Sequence, residues 1–513
     1  MLRSRFLLGQ LLLLAALTVA LATPALRGQQ SGQSPNSPGS TTATSDGGAA
    51  QADFDSLIDL IQSTVAPDSW ADNGTGEGEI APFDINGVYA DPTGTLRYEI
   101  LAESATTPLR KLPRIPSTPE GSDRARQGSS LRFVSLNKLE SAIARRQQQH
   151  LPLPPEMLTL AGLQRLQYVM VYPETADLVI AGPAGDWQVG PDGRIVSTET
   201  GYPVLRLDDL LMLWRRRHTY PEAAFGCSIS PRQAGLAKTQ AYVQASNLKP
   251  IDAGQRSAWI DGLRHCLGKQ DVEFFGMAAD SHVARVLLVA DYHMKLIGMG
   301  LAEPVDGVVS YLDTVELTAD GAPPPMAVLR WWFSMKYDPV TTDQDRTLFQ
   351  LLGPGVEVLS ENELLAAHGR RVATGRSEAL NRQFASTFTS EYPQICRRYP
   401  LYAELRNVFD LAMALAIVQQ EGLTERVGWL PTLFADANRL ALPSERVPVE
   451  VDTVVNHRVI SSKHIVAGIS GGVWLDPDKA LEVRVSKTSE ESAGVRRKMQ
   501  STVEQSAQSW WWD

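Results

Sequence analysis

Residues 166–181 read LQYVMVYPETADLVIA, in which two apolar segments flank a short polar turn. The segments Leu166–Tyr172 and Leu178–Ala181 are rich in β-branched and aromatic residues, which pack well on a pleated sheet. Pro173 and Asp177, which bound the connection, are typical turn residues. This stretch therefore predicts an antiparallel β-hairpin.

Helices and strands alternate around this hairpin without a repeating βαβ unit. Leu131–Val134 predicts a strand, after which Ser135 is placed to cap a helix. Ser281 is placed to cap a long apolar helix that begins at His282, and Tyr399–Gln420 has the three–four spacing of the longest helix. We therefore expect an α+β fold with mixed, largely antiparallel sheets and flanking helices.

The composition limits the classes of function. The chain has 513 residues, of which 43% are hydrophobic and 21% charged, and its formal charge is −10. At roughly 150 residues per domain this length predicts a multi-domain protein. The acidic charge argues against nucleic acid as a partner, because neutralising phosphates requires a basic surface.

The N-terminal residues have the pattern of a secretory signal. Arg3 and Arg5 precede an apolar run over Phe6–Ala22, and Ala20 and Ala22 supply the small side chains that a signal peptidase reads. Cleavage after Ala22 would place the mature chain in the periplasm or outside the cell. An uncleaved membrane anchor is the alternative.

The remaining chain divides by composition into linkers and folded parts. Residues 23–51 are rich in small polar residues and Pro, which is typical of a disordered linker, and the prolines of residues 105–130 predict a semi-rigid spacer. The predicted organisation is a signal peptide over 1–22, the linker over 23–51, a small α/β module over 52–104, the Pro-rich linker over 105–130, α+β domains over 131–218 and 219–345, an α+β region with the long helix over 346–476, and a flexible tail over 477–513.

The three cysteines, Cys227, Cys266 and Cys396, leave at least one thiol unpaired. A disulfide between Cys227 and Cys266 would close a loop of about 40 residues and stabilise the fold by about 3 to 4 kcal/mol. Three buried free thiols are the alternative. None of the cysteines has a partner at zinc-ligand spacing, so we expect no metal site here.

Several motifs resemble a known family. Residues 225–229 (FGCSI), 290–295 (ADYHMK), 332–337 (WFSMKY) and 359–363 (LSENE) together resemble a planctomycete family of secreted proteins of unknown function, DUF1598. The resemblance covers about Leu131–Asp476. It implies an extracytoplasmic location and brings no catalytic residue or cofactor with it.

Ser470 is a candidate nucleophile. Residues 468–472 read GISGG and match the nucleophile-elbow pattern, which places a serine between a strand and a helix. The residues that follow, 473–477, predict a strand end and a turn instead of the required helix. The last histidine, His464, also precedes the serine instead of following it.

Two Asp-x-His patterns end at His282 and His293. On one helix they would share a face but lie about 16 Å apart, too far to bind one metal ion. Asp291 and His293 remain weak catalytic candidates. We expect neither a metal nor an organic cofactor.

Glu361 and Glu363 offer a pair of acids for general acid–base catalysis. Acids that follow Ser360 also fit the start of a capped helix, which is the interpretation we favour. Glu361 is retained as a weak catalytic candidate beside Ser470.

The chain ends in Trp510, Trp511 and Trp512 after a polar stretch. Adjacent indoles could be buried against a partner or a membrane interface, where aromatic rings are favoured, and the alternatives are that they fold back onto the body or are a chance terminus. Two function classes follow from the whole sequence. The favoured one is a non-enzymatic binding or structural component of the cell envelope with a protein partner. The alternative is a secreted hydrolase whose site gathers distant Asp, Glu, His or Ser residues.

Overall fold

The computed structural model of the chain describes residues 80–83, 87–90, 122–190, 192–220, 224–246, 255–316, 327–366, 370–460, 463–485 and 490–513. The chain divides into two units, Met1–Asp53 and Phe54–Asp513, and the described residues belong to the second. The predicted signal peptide and the 23–51 linker lie outside the described residues. So does the 105–130 linker before Ser122.

The predicted 52–104 module is described only in two short strands. Strand β1 (Ile80–Phe83) pairs antiparallel with β2 (Gly87–Ala90). Both strands lie within the predicted module, and the rest of this module lies outside the described residues.

Thirteen strands form the main sheet of the described part. They are β3 (Ser129–Ser135), β4 (Tyr168–Tyr172), β5 (Asp177–Ala184), β8 (Phe225–Pro231), β9 (Lys269–Phe275), β10 (Ala327–Thr342), β11 (Leu348–Leu365), β12 (Arg371–Ala373), β13 (Glu450–Asp452), β14 (Val455–Ile460), β15 (Lys463–Leu475), β16 (Val483–Val485) and β17 (Trp511–Trp512). Their order is β13-β9-β8-β15-β10-β11-β4-β5-β3-β17, with β12 on β11, β14 on β15 and β16 on β10. A separate hairpin joins β6 (Trp187–Val189) to β7 (Ile195–Ser197).

The sheet is mixed but mostly antiparallel. Strand β10 runs parallel to β15 and to β16, and the other described pairs are antiparallel. The hairpin predicted at residues 166–181 is present as β4 and β5, with Val169 opposite Ile180. The α+β fold class expected from the sequence is confirmed.

Helices accompany this sheet. They are α1 (Ser122–Ala125), α2 (Leu136–Gln148), α3 (Pro155–Leu158), α4 (Leu207–Thr219), α5 (Gln233–Ser246), α6 (Arg256–Leu267), α7 (His282–Gly298), α8 (Tyr311–Thr314), α9 (Ala379–Ser390), α10 (Tyr392–Arg398), α11 (Pro400–Gln420), α12 (Leu423–Arg426), α13 (Thr432–Ala435), α14 (Pro477–Ala480), α15 (Glu490–Ser501) and α16 (Val503–Gln508). The predicted cap is present at α2, where the Ser135 hydroxyl accepts from the Lys138 amide at 3.3 Å.

Two of these helices are almost wholly buried. Every residue of α11 from Leu401 to Val418 is buried except Arg406, and α7 exposes only Arg285, Tyr292 and Leu296 in part. A helix that is apolar on all sides belongs in a core. These two helices therefore bring their few polar side chains into the interior, where such groups must find partners.

The sheet contradicts the predicted boundaries near residues 218/219 and 345/346. One sheet joins strands from all three predicted domains: β3 to β5 from the first, β8 to β10 from the second and β11 to β15 from the third. Local composition could not reveal this, because the pairing of β8 with β15 joins residues more than 200 positions apart.

The predicted flexible tail over 477–513 is also wrong for its described residues. Trp511 lies opposite Val134 and Trp512 opposite Phe133, so β17 extends the sheet at β3. The Ser135 amide donates to the Trp510 carbonyl at 2.8 Å. Burial of large aromatic side chains and strand pairing together order a segment whose polar composition suggested a solvated tail.

Within the described ranges, none of the helices combines the length and the apolarity needed to cross a bilayer.

Candidate functional site

Ser470 lies inside a continuous strand and not at a nucleophile elbow. Strand β15 runs through it to Leu475, so the helix that an elbow requires does not follow. The side chain is buried, and its hydroxyl lies 3.3 Å from both the Leu329 carbonyl oxygen and Glu363 Oε2. These contacts tie neighbouring strands together, and none of the hydrogen bonds among the described side chains joins Ser470 to a histidine.

Glu361 and Glu363 lie in strand β11 and not at a helix start. Glu361 Oε1 accepts from the Gly375 amide at 2.7 Å, and Glu363 Oε2 pairs with Arg371 Nη1 at 3.0 Å. The predicted cap at Ser360 is therefore wrong. Cross-strand pairing of β11 with β10 overrides the local cap signal, since antiparallel partners supply every second side chain with a neighbour.

Asp291 forms a fully buried ion pair with Lys295, one turn later on α7. The Lys295 Nζ and Asp291 Oδ2 atoms are 2.7 Å apart, and both side chains have 0% exposure. The Gly472 amide of β15 donates to Asp291 Oδ1 at 2.8 Å. Asp291 therefore links α7 to the sheet.

His293, two residues beyond Asp291, lies among aromatic rings. Its Nδ1 is 2.9 Å from the Tyr402 hydroxyl, and its ring packs against Tyr399 at a centroid distance of 4.6 Å. Burial, reinforced by the nearby Arg194 charge, lowers the pKa of His293 to about 3. The neutral imidazole therefore serves α7–α11 packing, and it does not share a hydrogen bond with Asp291.

The sequence did not reveal a buried charged network at the start of α7. His282 Nδ1 is 2.9 Å from Asp209 Oδ1, His282 Nε2 is 3.3 Å from Glu404 Oε1, and Arg194 Nε donates to Glu404 Oε2 at 2.7 Å. Burial alone would lower the pKa of His282, but Asp209 and Glu404 outweigh it and raise this pKa to about 10. The network joins α4, α7, α11 and the residue before β7 through paired charges.

The three cysteines are free thiols in the structure, which corresponds to the second of the two alternatives and not to a Cys227–Cys266 disulfide. Cys227 is buried in the main core on β8, whereas Cys266 is half-buried near the end of α6. Leu267, next to Cys266, packs in a separate small cluster with Leu236 and Val455. The two thiols thus belong to different packing units.

A cavity of about 540 Å³ lies where the C-terminal ends of α4 and α11 meet α12 and the segment after it. Its apolar lining consists of Trp214, Leu415, Val418, Trp429, Leu430 and Pro431. The rings of Trp214 and Trp429 are 5.2 Å apart. Leu430 is 80% exposed at the rim.

Few polar groups reach this cavity, and the main cation there is already paired. Arg217 lines it and donates to Asp478 Oδ1 at 2.5 Å, while Gln419, Thr424 and Glu425 supply the other polar side chains of the lining. Cavities of this size and composition are typical small-ligand or side-chain sites. The candidates Asp291, His293, Glu361 and Ser470 do not line it.

Glu140 of α2 holds the cavity wall in place. Its Oε2 accepts from the Trp429 indole at 2.6 Å, and its Oε1 accepts from the amides of Leu433 and Phe434 at 2.6 and 2.9 Å. The carboxylate is buried and satisfies three donors. The indole of Trp429 is therefore fixed with its ring toward Trp214.

The C-terminal tryptophans contact the body of the protein. Trp512 is 1% exposed and stacks on Phe133 at 5.7 Å, and Trp511 lies under the Arg132 guanidinium at 4.7 Å. The expected use of Trp510, Trp511 and Trp512 as a partner or membrane contact is thus replaced, for the last two, by the alternative of folding back. Removing the surface of these two rings from water stabilises the folded chain, so the rings are not left exposed for a partner.

Among the described residues, no group of three or more His, Cys, Asp or Glu side chains is arranged to hold a metal ion.

Comparison with known proteins gives one match. Residues 227–311 match the family model described as a protein of unknown function, DUF1598. The resemblance found in the sequence is confirmed for this segment, which begins in β8 and contains α7 with Asp291, His293 and Lys295. No curated protein and no solved structure matches the chain.

Proposed function

We propose that this protein is a non-enzymatic binding component of the cell envelope, located outside the cytoplasm, whose cavity beside Trp214 and Trp429 accepts an apolar side chain of a protein partner. The observation that carries the proposal is the cavity itself. Its volume of about 540 Å³ accommodates one or two large side chains, and its walls are mainly indole and aliphatic surface. Burying such surface is the main source of free energy in protein association.

The rim of the cavity favours a protein partner. Leu430 is 80% exposed and Pro431 lies next to it, so apolar surface continues from the cavity onto the outside of the molecule. Interface anchors bind in well-packed pockets from which water is excluded. A partner that covers Leu430 would bury it together with the side chain that enters the cavity.

The candidate catalytic groups support a binding role over a hydrolase. Asp291 pairs with Lys295, His293 with Tyr402, and Ser470 with Glu363. Glu361 accepts from the Gly375 amide. A hydrolase would require two or more of these groups to converge on one cavity.

The location rests on the sequence pattern of Arg3, Arg5 and the apolar run over Phe6–Ala22. Fractionation of cells that produce the natural full chain tests it. We expect the protein outside the cytoplasm, with a mature N-terminus after Ala22. Cytoplasmic recovery of the intact N-terminus would contradict the proposed location.

In-cell cross-linking followed by affinity purification tests the binding role. We expect a partner protein at constant stoichiometry with the natural chain, and its loss with Leu430→Glu, which places a charge at the cavity rim. Val449→Glu is the matched control, because Val449 is 75% exposed but does not line the cavity. Equal recovery of the partner with Leu430→Glu and Val449→Glu would contradict the proposed binding surface.

A further inference from the structure

Asp291 and Lys295 form an unusual buried pair. They lie four residues apart on α7, the spacing at which helical side chains face each other. Their reactive ends, Lys295 Nζ and Asp291 Oδ2, are 2.7 Å apart, and neither side chain exposes any surface. Lys is among the residues least often found fully buried.

The sheet holds this pair in a fixed position. The Gly472 amide donates to Asp291 Oδ1 at 2.8 Å. A Cβ atom on Gly471 would come within 2.8 Å of Asp291 Oδ1 and 2.9 Å of Lys295 Cε. Gly471 therefore makes room for the pair, and the Gly472 amide binds Asp291 directly.

As an ion pair, the arrangement is poorly satisfied. An ammonium has three donors, and among the described residues Asp291 is the one acidic group paired with Lys295. Beyond their 2.7 Å contact with each other, Lys295 Nζ and Asp291 Oδ2 have no hydrogen-bond partner among the described residues. A buried pair of charges whose remaining donors and acceptors are unsatisfied is expensive.

We propose that Lys295 and Asp291 condense into a side-chain amide that bridges one turn of α7. The Lys295 amine attacks Asp291 Cγ, a bond forms between Nζ and Cγ, and the bond between Cγ and Oδ2 breaks. One proton from the amine and the proton of the acid leave with Oδ2 as water. No oxidant, reductant or cofactor is required, since a neutral acid and a neutral amine give an amide and one water molecule.

The surroundings favour each part of this step. Burial raises the pKa of Asp291 and lowers that of Lys295, although each attracts the other in its charged form, so both groups are shifted toward the neutral acid and amine that react. The Gly472 amide is aimed at Oδ1, where negative charge develops in the tetrahedral intermediate. Intramolecular reactions of well-oriented groups reach effective concentrations of about 10⁵ to 10⁸ M, and the 2.7 Å contact between Lys295 Nζ and Asp291 Oδ2 places the amine beside the carboxyl group.

The product also fits the site better than the reactants. An amide has one N–H donor and one carbonyl acceptor, and the carbonyl keeps the hydrogen bond from Gly472. Two buried charges are replaced by one neutral group. The inference does not depend on the proposed binding function.

A tryptic digest of the denatured full chain tests the inference. Between Arg285 and Arg330, Lys295 is the single cleavage site for trypsin. The amide blocks cleavage there, so we expect a peptide over 286–330 whose mass is lower than that of the sequence by one water. Fragmentation should place the loss between Asp291 and Lys295.

Two outcomes would overturn the inference. One is a peptide over 286–295 at its sequence mass. The other is the same peptide lighter by one water, because a succinimide at Asp291 loses water yet leaves Lys295 open to trypsin. Both outcomes are measured on the natural chain, so the result does not depend on whether a variant folds.

The same digest contains a matched control. Lys138 also pairs with a buried aspartate, Asp177, but its side chain is 27% exposed. We expect normal cleavage after Lys138, since water reaches this amine. In a Lys295→Met variant, the peptide over 286–330 should have its full sequence mass, and a persistent loss of water there would assign the loss to another residue.

Discussion

The Arg132 guanidinium and the Asp513 carboxylate meet through two parallel hydrogen bonds, Nε to Oδ1 at 2.8 Å and Nη2 to Oδ2 at 3.0 Å. The two residues are 381 positions apart in the chain. Arg132 has no exposed side-chain surface, whereas Asp513 is 37% exposed. This pair, together with Trp512 on Phe133, attaches the last strand to the edge of the main sheet.

Truncating Trp512 should detach this strand. The Trp512→Ala variant loses the stack on Phe133 and the edge contact with Tyr172 at 5.6 Å, so we expect a loss of about 3 to 5 kcal/mol in the free energy of unfolding. Urea unfolding measures the loss, and carboxypeptidase digestion should release the C-terminal residues faster. Gln505→Ala, at an exposed position outside β17, is the control. An unchanged digestion rate would contradict the attachment.

Removing one acceptor from Glu140 should disturb the cavity. In Glu140→Gln the amide nitrogen replaces one of the two oxygens that accept from Trp429, Leu433 and Phe434, so at least one buried donor loses its partner. We expect a loss of about 1 to 3 kcal/mol. Urea unfolding and the indole emission spectrum check this, with Glu273→Gln as control, because Glu273 is exposed and does not line the cavity. Identical unfolding curves for both variants would exclude a positioning role for Glu140.

The His282 network should make stability fall at alkaline pH. Because the folded pKa of His282, about 10, exceeds its ordinary value of 6.5, the folded state holds the proton more tightly, and this stabilisation is complete below about pH 6.5 and is lost as pH rises through about 10. A neutral His282 would also no longer balance the negative charges of Asp209 and Glu404.

Urea unfolding between about pH 7 and 10 measures this dependence. We expect the free energy of unfolding of the natural chain to decline across that range, by at most about 1.4 kcal/mol per pH unit for this group. His282→Gln should be less stable at neutral pH and show a flatter profile. Parallel profiles for the two proteins would contradict the raised pKa.

The thiols should react in the order of their exposure. Cys266 is half-buried, whereas Cys227 and Cys396 are buried, and burial raises the pKa of Cys396 to about 11. A maleimide added to the folded protein should therefore label Cys266 first, and the other two should react only in denaturant. Peptide mass mapping checks this. Labelling of all three cysteines after denaturation without a reductant would confirm that the thiols are free. Labelling of a single cysteine would show that the other two form a disulfide.

Local signals in the sequence were sufficient for much of the fold. The hairpin of β4 and β5, the Ser135 cap and the helix beginning at His282 each depend on residues that are close in the chain, so periodicity and caps reveal them. The prediction of a helix cap at Ser360 was wrong because it also used local residues alone. The partners of the two acids that follow, Arg371 and Gly375, lie outside that local pattern.

The candidate site could not be found in this way. Glu140 and Trp429 are 289 positions apart, and nothing near either residue indicates that they meet. His282 did stand out beside Asp280, but its partner is Asp209, on another helix. Cavities and buried charge networks form by tertiary packing of residues that are far apart in the chain. Local patterns in a single sequence do not indicate which of those residues meet.

The strand order described above has a consequence for how the molecule forms. Neighbours in the sheet, such as β8 and β15 or β3 and β17, come from remote parts of the chain. Such long-range pairing makes folding slow, because chain entropy is lost before the contacts that compensate for it can form. Sheet edges stay unpaired during that interval, so the yield of native protein will be set by competition between folding and aggregation.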